Sequence, residues 1–123
     1  MEKRRLIVLD DEPDFAAFVR MVAEGLGFDV TVLTDPLLFK DSFETVDPAI
    51  VVLDIIMPEM DGIEVVQWLL ARQAPVSVLL VTAYNPRYAK MAEILSRDRG
   101  LTKVQTLEKP VSVAQLRAAL AAA

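Results

Sequence analysis

An α/β domain is predicted, with a doubly wound, five-stranded parallel sheet of order 2-1-3-4-5 and five helices. Three observations lead there. Short apolar runs without polar alternation recur along the chain, and segments with helical spacing separate them. The 123 residues, 54% hydrophobic and 25% charged, suit one globular domain with a single core, spanning 1–123. Right-handed crossovers leave few topologies for five β/α units, and this order opens a ligand crevice at the strands' carboxyl ends.

The elements follow in order. RRLIVLD is the first strand, rich in β-branched and aliphatic residues. PDFAAFVRMVAEGLG is a helix with Phe15, Phe18, Val19, Val22 and Leu26 at helical spacing, Pro13 near its start and Gly27 near its stop. FDVTVL is the second strand. DPLLFKDSFETV is a weaker helix, with Asp35 as its cap and Pro36 in its first turn. AIVVLD is the third strand, and DGIEVVQWLLARQ a helix with Ile63, Val66, Leu69 and Leu70 in register. VSVLLVTA is a long apolar fourth strand. NPRYAKMAEILSRDRG is the fourth helix, from an Asn-Pro boundary to Gly100. VQTLE is a short fifth strand, and SVAQLRAALAAA the last helix, capped by Ser112.

Composition removes several chemistries. There is no cysteine, hence no disulfide framework and no thiolate metal site. There is no histidine, hence no His-based triad and none of the usual zinc ligands. Catalysis must run on carboxylates, lysine, hydroxyls or a bound metal. MEKRRLIVL mimics the start of a signal peptide, but Asp10, Asp11 and Glu12 cut its apolar run short. Nothing approaches the roughly 18 apolar residues of a membrane span. A soluble, cytoplasmic protein with no membrane partner is expected.

The net charge of −5 is uneven: residues 1–64 hold 15 acids and 5 bases, residues 65–123 hold 3 and 8. No direct nucleic-acid binding is expected from this balance. Arg87, Lys90, Arg97, Arg99 and Lys103 gather around the fourth helix and its exit. They form either a solvated helix face or a docking surface for an acidic partner or a second copy.

Three adjacent acids at the end of a buried strand repel one another. Asp10 and Asp11 end strand 1, and Asp54 ends strand 3, its neighbour in the predicted order. Thr82 ends strand 4 and Lys109 follows strand 5, so five polar groups converge on one rim. Asp10 and Asp11 read either as a helix cap with a first-turn acid or as half of a cation site. Oxygen ligands without His or Cys suit Mg²⁺, with Mn²⁺ the alternative. Asp54 reads either as a turn-starting residue before Pro58 and Asp61-Gly62 or as a carboxylate nucleophile that carries a phosphoryl group. Lys109 reads as a surface lysine or a point charge for phosphate, and Thr82 as a strand residue or a phosphate donor. Glu12 reads as support for the helix start beside Pro13.

The set LIVLDDE, VVLDIIMPEMDG, VTAY and LEKPV resembles the receiver domain of bacterial two-component response regulators, a chemotaxis-regulator-like, flavodoxin-like phosphoacceptor domain. The likeness covers essentially the whole chain. It implies that Asp54 is the phosphoacceptor, and that Mg²⁺ is held by Asp11, by Asp10 through water, by Asp54 and by the Ile56 backbone carbonyl. It implies that Thr82 and Lys109 bind and report the phosphoryl group, and that the Lys109–Pro110 bond is cis. It implies a sensor histidine kinase or phosphotransfer protein as donor, since the phosphohistidine must come from elsewhere. It also implies a downstream effector or a fused output domain as receiver of the signal. The switching face would be the fourth helix, fifth strand and last helix, which would also carry a homodimer. Substrate turnover is not expected beyond self-phosphorylation from a donor and slow autodephosphorylation.

The sequence departs from the family at one switch position. Thr106 stands where the family usually carries Tyr or Phe, so the output change is expected to be smaller or differently routed, with Tyr84 filling part of the space. Ile56 and Tyr84 would flank the route of the hydrolytic water, and their bulk implies slow loss of the phosphoryl group. The rival readings are a receiver-fold docking module that works without phosphorylation, an Asp-nucleophile phosphatase, and a flavin-type binder. The phosphatase lacks its second acid, because position 56 is Ile, and three carboxylates repel a flavin phosphate. With no output domain in these residues, a stand-alone receiver or a piece of a larger regulator is expected.

Overall fold

Five parallel strands form one sheet of order β2-β1-β3-β4-β5 in the computed structural model of the chain. Residues 3–57, 60–83, 90 and 103–123 are described. The strands are β1 (Arg5–Leu9), β2 (Asp29–Leu33), β3 (Ile50–Asp54), β4 (Ser77–Thr82) and β5 (Lys103–Glu108). Among the described residues four helices join them: α1 (Pro13–Gly25), α2 (Phe39–Val46), α3 (Gly62–Ala71) and the C-terminal α4 (Val113–Ala122). Of the helix expected over Asn85–Gly100 only Lys90 is described, helical and exposed, and Tyr84, Arg87, Arg97 and Arg99 lie outside the described residues.

The continuous apolar runs are explained by burial on both faces. Ile7 and Leu9, Val51 and Leu53, and Val78 and Leu80 point to one side, where α2 and α3 cover them. Leu6 and Val8, Ile50 and Val52, and Leu79 and Val81 point to the other, under α1 and α4. Alternation is present, but both halves of it are apolar. Trp68 of α3 meets Phe39 and Phe43 of α2 edge-on, with ring centroids 5.9 and 5.5 Å away, and ties those helices together. Arg72 lies over the same indole at 4.6 Å and ion-pairs with Glu44.

Capping residues set the helix starts. The Asp61 carboxylate accepts from the Glu64 N–H at 2.8 Å, and Ser112 and Gln115 form a reciprocal capping box. Asp35 accepts from the Leu37 N–H at 3.0 Å, but it caps a short 3₁₀ turn, Pro36–Leu38, and α2 begins only at Phe39. Gly27, at φ 94°, takes the left-handed conformation beyond α1 that a side chain resists. Leu26, expected on the buried face of α1, is the residue after its last turn and is exposed.

Candidate functional site

The carboxyl ends of β1, β3 and β4 lie side by side, because β1 pairs with β3 and β3 with β4. That alone gathers Asp10, Asp54 and Thr82. All three are buried, at 1%, 5% and 4% exposure. Lys109 follows β5, and its backbone N–H donates to the Thr82 carbonyl at 2.7 Å, holding the lysine at this edge. The Lys109–Pro110 bond is cis.

The ammonium of Lys109 is the hub. It donates to Glu12 Oε1 at 2.8 Å and Asp10 Oδ2 at 3.1 Å, and it lies 3.7 Å from Asp54 Oδ2. Asp10 Oδ1 accepts from the Glu12 N–H at 2.8 Å, and Asp54 Oδ1 from the Ile56 N–H at 3.3 Å. Asp11 is half-buried, and its side chain adds a small push to the upward shift of the Asp54 carboxyl. Burial first, then the charge of Asp10, push the Asp54 carboxyl up to about 7 from an ordinary 3.8. Burial raises Asp10 as well, against its bonds to Glu12 and Lys109. Burial works to lower Lys109, but its bonds to Glu12 and Asp10 outweigh it and leave the ammonium above its usual value.

One ligand oxygen from each of Asp10, Glu12 and Asp54 lies within 4.8 Å of the others. An all-oxygen set of this spacing fits a hard divalent cation such as Mg²⁺, and it contains Glu12 where Asp11 was the expected ligand. The Thr82 hydroxyl is buried and has no hydrogen-bond partner among the described residues, so it is ready to donate to an oxygen entering the site.

Glu12 departs from its expected role. It occupies the N-cap position of α1, yet its side chain makes no cap hydrogen bond and turns to Lys109 instead. An ammonium already flanked by anions outcompetes a backbone N–H for this carboxylate. Ile56 contributes its backbone N–H to Asp54 while its side chain is 53% exposed. Thr106 sits in β5, half-buried, paired in register with Leu80. Tyr84 lies outside the described residues. Two contributors were missed from sequence. One is Phe15, whose ring lies 4.3 Å from the Lys109 ammonium. The other is Gly62, where a Cβ would stand 2.8 Å from the Asp54 carbonyl oxygen and 2.7 Å from Ile55 Cα. The DG pair had signalled only a turn.

Comparison with known proteins agrees with this architecture. The family model of the response regulator receiver domain matches residues 6–121. The alkaline phosphatase synthesis transcriptional regulatory protein PhoP of Bacillus subtilis is 30% identical over 101 residues, covering 81% of this chain and 42% of PhoP. The transcriptional regulatory protein TrcR of Mycobacterium tuberculosis is 30% identical over 118 residues, covering 94% of this chain and 43% of TrcR. The chain thus spans less than half the length of either regulator. A response regulator from Colwellia psychrerythraea superposes with a TM-score of 0.78 at 28% identity, over 98% of this chain and 96% of that one. Among the described residues no helix is long and apolar enough to cross a membrane. Sheet order, acidic edge and a family match over nearly every residue agree: this chain belongs to the receiver domains of two-component response regulators.

Proposed function

We propose that the domain accepts a phosphoryl group on Asp54 from the phosphohistidine of a sensor kinase or phosphotransfer protein. The observation that carries this is a buried carboxylate, Asp54, with one shared ammonium 3.7 Å from its Oδ2. An Asp54 oxygen attacks phosphorus, and the P–N bond to the donor imidazole breaks. The imidazole leaves with the electron pair and takes its proton from solvent. Held by Asp11, Asp54, the Ile56 carbonyl and Asp10 through water, Mg²⁺ would supply the positive charge that offsets the carboxylates and the transferring group. Lys109 adds a mobile charge. To reach the phosphoryl oxygens its ammonium gives up Glu12, which is largely exposed and returns to water. Thr82 donates its hydroxyl to a phosphoryl oxygen and so satisfies a buried group that has no partner among the described residues. Catalysis here is positioning and electrostatics.

The acyl phosphate then biases a two-state equilibrium through Thr82 and Lys109, read by an effector at the face to which β5 and α4 contribute. Thr106 in place of an aromatic side chain favours a smaller movement there, and a docking module that works without phosphorylation is the second reading. Incubation with a small phosphodonor and Mg²⁺, followed by intact mass, separates the two. One phosphoryl adduct, absent in Asp54→Asn, is expected. A wild-type protein that takes no adduct would establish the docking reading instead.

A further inference from the structure

Two carboxylates, Glu12 and Asp10, account for the hydrogen bonds of the Lys109 ammonium, but not for how it is kept at the site when one of them lets go. Phe15 supplies what the carboxylates do not. Its ring centroid lies 4.3 Å from Lys109 Nζ, inside the range of a cation–π contact. The ring is half-buried, braced by Phe18 with centroids 5.8 Å apart, and packed on the core under α1 and α4. The Lys109 side chain is only 12% exposed. Phe15 and Lys109 both line a cleft of about 590 Å³ that opens between the start of α1 and the segment after β5. Glu12 and Phe15 are three residues apart on one helix start, so the first turn of α1 presents an anion and a ring face to the same ammonium.

We propose that Phe15 is a positioning residue for phosphoryl transfer: its ring face holds the Lys109 ammonium beside Asp54 while the ammonium exchanges Glu12 for the phosphoryl oxygens. The proposal rests on the phosphoacceptor reading above. A carboxylate partner binds directionally and must be broken before the ammonium moves. A π face attracts the cation without a directional bond, so Nζ slides across the ring and keeps most of that attraction. The ring also keeps water from one side of the ammonium, which strengthens its pull on an incoming anion.

The test uses Phe15→Leu, which keeps the apolar contact and removes the π face, and Phe15→Trp, which strengthens it. The first readout is independent of phosphorylation. In metal-free protein the Lys109 ε-methylene resonance, assigned by its loss in Lys109→Arg, is shifted upfield by the ring, and the shift disappears in Phe15→Leu. The second is the rate of phosphorylation by phosphoramidate with saturating Mg²⁺. Phe15→Leu is expected to slow it about threefold to tenfold, the range of a partly desolvated cation–π contact, with an unchanged melting temperature. Phe15→Trp is expected to match or exceed wild type, whereas a purely packing role would make the bulkier Trp at least as harmful as Leu. An unmoved Lys109 resonance in Phe15→Leu, or a wild-type rate in that variant, overturns the proposal. A wild-type protein that is not phosphorylated at all overturns the phosphoacceptor reading, and the positioning role with it.

Discussion

Replacing Asp54 by Asn in metal-free protein should stabilise the fold, and increasingly so as pH rises. Asp54 is 5% exposed, and burial together with the Asp10 charge moves its carboxyl from 3.8 to about 7. The folded protein therefore keeps a proton that the unfolded chain has released across that interval. An acid raised on folding contributes stability fully below its unfolded value, and that contribution is lost as pH rises through its folded value. Asp10 is raised too and acts in the same sense. Lys109 is also raised, so its contribution fades only above its ordinary 10.5, outside this window. At about 1.4 kcal/mol per pKa unit, the interval from 3.8 to about 7 corresponds to about 4 kcal/mol as an upper bound. Asp10 and Asp54 titrate around one ammonium, and a neutral amide at position 54 gives up the charge of the 3.7 Å contact with it, so we expect about half, about 2 kcal/mol.

Urea denaturation in EDTA, followed by circular dichroism at about pH 5 and about pH 8, reads this directly. Wild type should be less stable at the higher pH. The Asp54→Asn variant should exceed it by about 1 kcal/mol at the lower pH and by about 2 kcal/mol, or about 8 °C in Tm, at the higher. Added Mg²⁺ should close the gap by stabilising wild type, since a ligand of the folded state raises its stability. A metal-free wild type that gains stability between these pH values, or an Asp54→Asn variant less stable than wild type at the higher one, would refute the reasoning.

Two further outcomes follow from local geometry. Gly62→Ala places a Cβ 2.7 Å from Ile55 Cα and 2.8 Å from the Asp54 carbonyl oxygen, both backbone atoms that cannot swing aside, so a loss of about 2 kcal/mol is expected in urea denaturation. Ile56→Asn replaces an exposed apolar side chain, two residues past Asp54, with one that can hold water. The phosphorylated variant should lose phosphate faster than wild type in a phosphate-release assay, and a longer lifetime would count against water exclusion by Ile56.

The fold was legible because its signals are local. Runs such as LIVL and IVVL lack polar alternation, which burial on both faces requires, and Asp61 and Ser112 carry the side-chain oxygens that helix starts need. Thr82 and Lys109 could be assigned to one edge with Asp10 and Asp54, because parallel strands all end on the same side and order 2-1-3-4-5 makes their ends neighbours. Less visible was the division of α2, where Pro36 suits a tight turn as well as a helix start.

Chain direction and strand order, which depend on hydrophobic periodicity and crossover handedness, were enough to bring Asp10, Asp54, Thr82 and Lys109 to one edge. What those side chains do there depends on packing between segments far apart in the chain. Glu12 leaves the helix start for an ammonium 97 residues away, and Phe15 turns its ring to the same ammonium. Asp54 keeps its proton until about 7 because Asp10 and the surrounding core reach it from other strands. Each of these depends on Coulomb and desolvation energies between groups distant in sequence, which act only once packing has fixed the distances between them and excluded the water.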